Sequence, residues 1–93
     1  MDNKYKYSLT IKVRDSDGNL IVGDEKTDTY RLGFSLGELT DKQVISILKS
    51  TGLTLKAWMP DREIILEASV FSEISQAYMC LFSCKAGEDI QKH

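Results

Sequence analysis

Apolar and polar residues alternate without a break along Lys4–Arg14, "KYKYSLTIKVR". Tyr5, Tyr7, Leu9, Ile11 and Val13 take one parity; Lys4, Lys6, Ser8, Thr10, Lys12 and Arg14 take the other. A period of two sustained this long predicts a strand with one face in a core and one in water.

The run stops at "DSDGN". Asp17-Gly18 predicts a type I′ hairpin turn, which needs positive φ at both central residues, a geometry that Asp and Gly tolerate. Asp15, Asp17 and Asn19 at alternate positions are also how an EF-hand calcium loop begins. Such a loop needs glycine at its sixth position and a bidentate glutamate at its twelfth. Counted from Asp15, those positions hold Leu20 and Lys26. A cation where the chief anionic ligand belongs rules the loop out, so the motif reads as a turn and no metal site is expected.

Leu20–Val22 begins the return strand, with Val13 expected opposite Val22. Ile11 would then meet Asp24, so a bulge is expected at Gly23 in "GDEK", setting Lys12 beside Asp24. The alternation resumes in "TDTYRLGF", where Tyr30, Leu32 and Phe34 share a parity.

"LTDKQVISILKSTG" switches to helical spacing. Thr40 and Gln43 match a capping box, and Leu39 with Val44 a hydrophobic staple. Asp41 and Lys49 suit the two ends of the helix dipole. Val44, Ile47 and Leu48 form an apolar stripe with Ile45 alongside. Gly52 is placed to end the helix in a left-handed conformation.

"LTLKAWMPDREIILEASVF" predicts a second hairpin, Leu53–Met59 with Glu63–Phe71, reversing at Pro60-Asp61. A helix over "REIILEA" is the competing reading, because those residues are good helix formers. "SEISQAYMCLFSCKAG" predicts a second helix: Ser72 as N-cap, Glu73 in the first turn, Ile74, Ala77, Tyr78 and Leu81 along a stripe, Lys85 and Gly87 at the end. Residues 88–93, "EDIQKH", are expected to form a flexible tail. The expected fold is α+β and two-layered: an antiparallel four-stranded sheet with two helices on one face, in the order β-hairpin, helix, β-hairpin, helix.

A chain of 93 residues fits one domain, spanning 1–93. With 42% hydrophobic and 28% charged residues, disorder is not expected. The net charge of −2 argues against nucleic-acid binding, which requires phosphates to be neutralised. "MDNKYKYS" lacks the apolar core of a signal peptide and no run reaches membrane-spanning length, so the chain reads as cytoplasmic, with no membrane partner.

Chemistry is sparse. Cys80 and Cys84 are placed four apart on the second helix, where their side chains project in parallel and suit two reduced thiols better than a disulfide. A zinc site from both cysteines and His93 lacks a fourth ligand. Neither thiol sits at a helix N-terminus, where a thiolate would be favoured. No GxSxG, HExxH, Walker or dinucleotide-binding pattern occurs. No enzyme activity and no cofactor are expected.

Two binding surfaces remain. Lys4, Lys6, Lys12 and Arg14 form a basic strand face, the alternative nucleic-acid site; the tyrosines fall on the other parity, which separates the cations from the stacking rings that such sites combine. Trp58, Met59, Phe71, Met79 and Phe82 are the large apolar residues left after a small core is filled, and such residues are enriched at interface centres. The expected function is therefore a small accessory or regulatory protein, non-enzymatic, acting through a protein partner. Inhibition of a host protein by a phage or mobile element is one setting that fits, and a homodimer is one form of the interface.

Overall fold

The computed structural model describes residues 3–22 and 34–93. Its elements run β1 (Lys4–Arg14), β2 (Leu20–Val22), β3 (Phe34–Thr40), α1 (Asp41–Trp58), β4 (Glu63–Ser72), β5 (Ala77–Lys85) and β6 (Gln91–Lys92). All strand pairs are antiparallel. β1 pairs along one edge with β4 and along the other with β3 and β2; β5 and then β6 continue beyond β4. Among the described residues, one helix on one six-stranded sheet replaces the expected two helices on four strands.

β1 is the strand that its alternation predicts. Tyr7, Leu9 and Val13 are buried on the helix side, with Ile11 partly buried among them. Register carries that face across the sheet: Tyr7 opposes Val70, Leu9 opposes Ala68 and Val13 opposes Ile64. Leu66 opposes Cys84, and Ala68 opposes Phe82. Val44 and Leu48 of α1 close the core, both 0% exposed. Burying side chains of that size contributes roughly 1.5–3 kcal/mol each.

At the first reversal, Gly18 N–H donates to the Asp15 carbonyl at 3.1 Å and Asp15 N–H to the Asn19 carbonyl at 2.9 Å. The Asp15 carboxylate accepts from the Asp17 and Asn19 amides at 3.0 and 2.8 Å. Among the non-glycine residues described, only Gln76 has positive φ, so the turn is not type I′; Gly18 alone, at +85°, takes the left-handed position. This is the three-residue hairpin loop with a glycine bulge. Val13 opposes Val22 as expected, and the register slips by one residue before Arg14 meets Leu20. The bulge expected at Gly23 and the alternation through Tyr30 and Leu32 lie outside the described residues.

α1 begins as expected. Gln43 N–H donates to Thr40 Oγ1 at 3.3 Å, and Thr40 N–H donates to Gln43 Oε1 at 2.9 Å. Gly52 does not stop it. Leu53–Met59, expected as a strand, continues the helix to Trp58, where Met59 N–H caps the Leu55 carbonyl. Val44, Leu48, Gly52, Leu55 and Met59 follow each other at helical spacing, and all are buried or packed on the core. Gly52 faces the sheet: a Cβ there would lie 3.2 Å from Leu66 Cδ1 and 3.4 Å from Ala86 Cα.

β4 is the strand expected over Glu63–Phe71, but its hairpin partner is β5. The segment expected as a second helix is therefore half of a hairpin. Its N-terminal part forms the turn, in which Ser75 N–H donates to Ser72 Oγ and Gln76 Nε2 to the Glu73 carbonyl. The chain end is no free tail: Gln91 and Lys92 pair with Ser83 and Phe82, and Ile90 packs on the core. No helix among the described residues is long and apolar enough to cross a membrane.

Candidate functional site

The helix covers one sheet face. The other carries Lys6, Ser8, Thr10, Lys12 and Arg14 from β1, with Glu63, Ile65, Glu67, Ser69 and Phe71 from β4. Tyr78, Cys80, Ser83 and Lys85 of β5 complete it, because β5 bulges at Leu81 and changes parity there.

This face is electrostatically mixed. Lys12 Nζ lies 3.5 Å from Glu67 Oε1, and Lys85 Nζ 3.5 Å from Glu63 Oε2. Register sets Lys6 opposite Glu38 and Arg14 opposite Glu63, while Lys4 opposes Thr40. Arg14 Nη1 also donates to the Gly18 carbonyl at 3.0 Å. Carboxylates opposite Lys6, Lys12 and Arg14 thus interrupt the positive charge along this strand. Tyr5 and Tyr7 lie on the opposite face from these cations; Tyr7 is core and Tyr5 its half-exposed edge, their rings meeting edge to face at 6.3 Å. The Tyr7 hydroxyl donates to Asp41 Oδ1 at 2.8 Å, joining β1 to the first turn of α1. Burial first, and the Asp41 carboxylate second, raise its pKa far above the ordinary tyrosine value.

The cysteines lie on β5 rather than on a helix, and Cys80 and Cys84 point to opposite faces. Burial raises the pKa of both; Glu67 adds to it at Cys80 and Glu88 at Cys84. Their thiols are thus held protonated by desolvation and nearby carboxylates. Among the described residues no group of three or more His, Cys, Asp or Glu side chains is arranged to hold a metal ion. His93 Nε2 instead shares a hydrogen bond with Ser83 Oγ.

The five apolar residues singled out as partner contacts do not come together. Phe82 is 4% exposed, a core residue beside Tyr7. Trp58 is 77% exposed at the C-terminal end of α1, with Met59 packed on the core next to it. α1 starts where Tyr7 meets Asp41 and ends near the β1–β2 turn, so Trp58 sits at the opposite end of the sheet from Phe71 and Met79.

Phe71 and Met79 belong to the distal β4–β5 hairpin, where sequence reasoning missed their companions. Ile74 at the tip is 100% exposed, and Phe71, Tyr78 and Met79 are each exposed by 41–49%. Phe71 and Tyr78 stack edge to face at 5.3 Å on the open side, while Met79, opposite Val70, lies on the helix side. Every residue from Glu73 to Met79 is exposed by more than a third of its surface. The available signal was the polar cluster "SEISQ" between two apolar runs, a turn composition that was read as a helix start.

Comparison with protein-family models, with curated proteins and with solved structures found no match to this chain.

Proposed function

We propose that this protein works as a small accessory or regulatory protein that binds another protein through the distal β4–β5 hairpin. One observation carries the reading: Ile74 at the tip of this hairpin is fully exposed, and Phe71, Tyr78 and Met79 beside it are each exposed by 41–49%. Leaving a residue such as Ile74 wholly in water forgoes roughly 1.5–3 kcal/mol of burial, which a partner can supply. Clustered exposure of this kind marks interaction sites, unlike the scattered apolar residues of an ordinary surface. Two aromatics and a methionine are also the residue types enriched at interface centres.

The test is site-specific photocrosslinking in cells that naturally express the chain. A crosslinker at Ile74 or Tyr78 is expected to yield a discrete protein adduct, and one at Thr54, exposed on α1, is not. No adduct at the hairpin, or equal adducts from Thr54, would remove the basis for the reading.

A further inference from the structure

We propose that β5 at Leu81, Phe82 and Ser83, together with the cleft between it and α1, is a binding site for an extended protein segment, which residues 87–93 of the chain itself occupy as a strap. The site lies towards the opposite end of β5 from the hairpin tip and does not rest on the hairpin contact.

The strap is held as a peptide ligand is held. Gly87, at φ +87°, and the Glu88 N–H bond to the Lys85 carbonyl turn the chain back along β5. Gln91 and Lys92 then pair with Ser83 and Phe82, and His93 N–H donates to the Leu81 carbonyl at 2.9 Å. Main-chain bonds of this kind depend little on sequence, and pockets for side chains supply the selection. Here one apolar side chain, Ile90, packs on the core, while Gly87, Glu88, Asp89, Gln91, Lys92 and His93 are exposed.

α1 does not close over the strap. A cavity of about 380 Å³ lies between Ile90 and Lys92 on one side and Ile45 and Lys49 on the other. A second, of about 210 Å³, lies between Gly87 and Glu88 of the strap and Leu48 and Leu53 of α1. Close-packed interiors leave no such gaps between elements, so the strap can leave without unpacking α1 from β4. Phe82 lines the first cavity and Cys84 the second, and both are core residues, 4% and 7% exposed.

The strap also specifies what replaces it. Asp89 and Lys49 line both cavities, so an acidic residue at this point meets the ammonium of α1, and the aliphatic side chain that follows it fills the seat of Ile90. The partner is a protein segment in extended form that carries an acidic residue followed by an aliphatic one. A tethered strap competes at an effective concentration of about 1 mM, which keeps the site closed until such a segment is locally concentrated.

The full chain and a synthetic peptide of residues 87–93 test this. Alkylation of Cys84 by iodoacetamide, located by mass spectrometry with Cys80 as internal reference, reports release of the strap. Ile90→Ala is expected to speed Cys84 labelling about ten-fold, equivalent to about 1.4 kcal/mol, with far-ultraviolet circular dichroism unchanged. The peptide, added well above about 1 mM, is expected to slow labelling again, and the same peptide carrying Ile90→Ala is not. Lys49→Glu, at an exposed helix position, is expected to speed labelling in the same way and to be protected better by a peptide carrying Asp89→Lys than by the parent peptide. A Cys84 rate unchanged in both variants overturns the proposal. So does labelling that no peptide slows, or that every peptide slows equally.

Discussion

Gly52 offers the most discriminating test of how α1 meets the sheet. In an exposed helix interior, Gly→Ala is worth about 1 kcal/mol in favour of alanine. Here the added Cβ would lie 3.2 Å from Leu66 Cδ1 and 3.4 Å from the Ala86 backbone. Leu66 is 0% exposed and has no room to swing aside, so the helix must lift by a few tenths of an ångström. Overpacking of that kind costs about 1–3 kcal/mol, which outweighs the propensity gain. Gly52→Ala is therefore expected to destabilise by about 0–2 kcal/mol.

Removing the obstacle changes the sign. Leu66→Ala alone costs about 2–5 kcal/mol, but in that background Gly52→Ala no longer meets Cδ1 and is expected to stabilise by about 1 kcal/mol. The assay is urea denaturation of the four chains followed by far-ultraviolet circular dichroism, since the exposed Trp58 reports little on the core. Additivity within about 0.5 kcal/mol would refute the packing argument. A glycine ending the helix in the left-handed region would give that result, because alanine would then be strained by the backbone in either background.

Other expectations follow from single interactions. Tyr7→Phe removes a bond to an exposed carboxylate and should cost about 1 kcal/mol, while Asp41→Ala strands the Tyr7 hydroxyl and should cost about 1–3 kcal/mol; chemical denaturation ranks them. Above the ordinary tyrosine pKa of about 10, the unfolded chain releases the Tyr7 proton while the folded chain keeps it. This contribution to stability is thus full below that pH and lost above it, and an alkaline titration should show a shallower loss in Tyr7→Phe. Thr40→Ala should cost about 1 kcal/mol by breaking the capping box, read from the same denaturation curves. The amide bonds from Asn19 and Asp17 lower the Asp15 pKa, so its stabilisation is present above the ordinary carboxylate value and lost as pH falls through the lowered one. Asp15→Asn should be less stable than the parent at neutral pH and converge with it in acid; parallel curves throughout would contradict this.

Where the pattern was unbroken, local reading and structure agree. β1 was legible because its long alternation leaves one choice of buried face, and α1 began where Thr40 and Gln43 cap each other. β4 was legible in Ile64, Leu66, Ala68 and Val70. The candidate site was only partly legible: Phe71 and Met79 were identified as spare apolar residues, but Ile74 and Tyr78 were assigned to a helix and Phe82 belongs to the core.

The amino-acid order by itself determined which residues avoid water along β1 and β4, where the chain turns at Gly18, and where α1 starts, because these depend on neighbours a few positions away. Only the tertiary structure decided the rest. Gly52 reads as a stop until Leu66 and Ala86 require a residue without a side chain, and "LTLKAW" alternates like a strand although Leu55 and Met59 continue the helical stripe. β5 reads as a helix because Ile74, Ala77, Tyr78 and Leu81 fall at steps of three, one and three, while the bulge at Leu81 breaks the period of two that would mark a strand. Hydrogen bonds to β4, which no spacing within β5 itself encodes, select the strand.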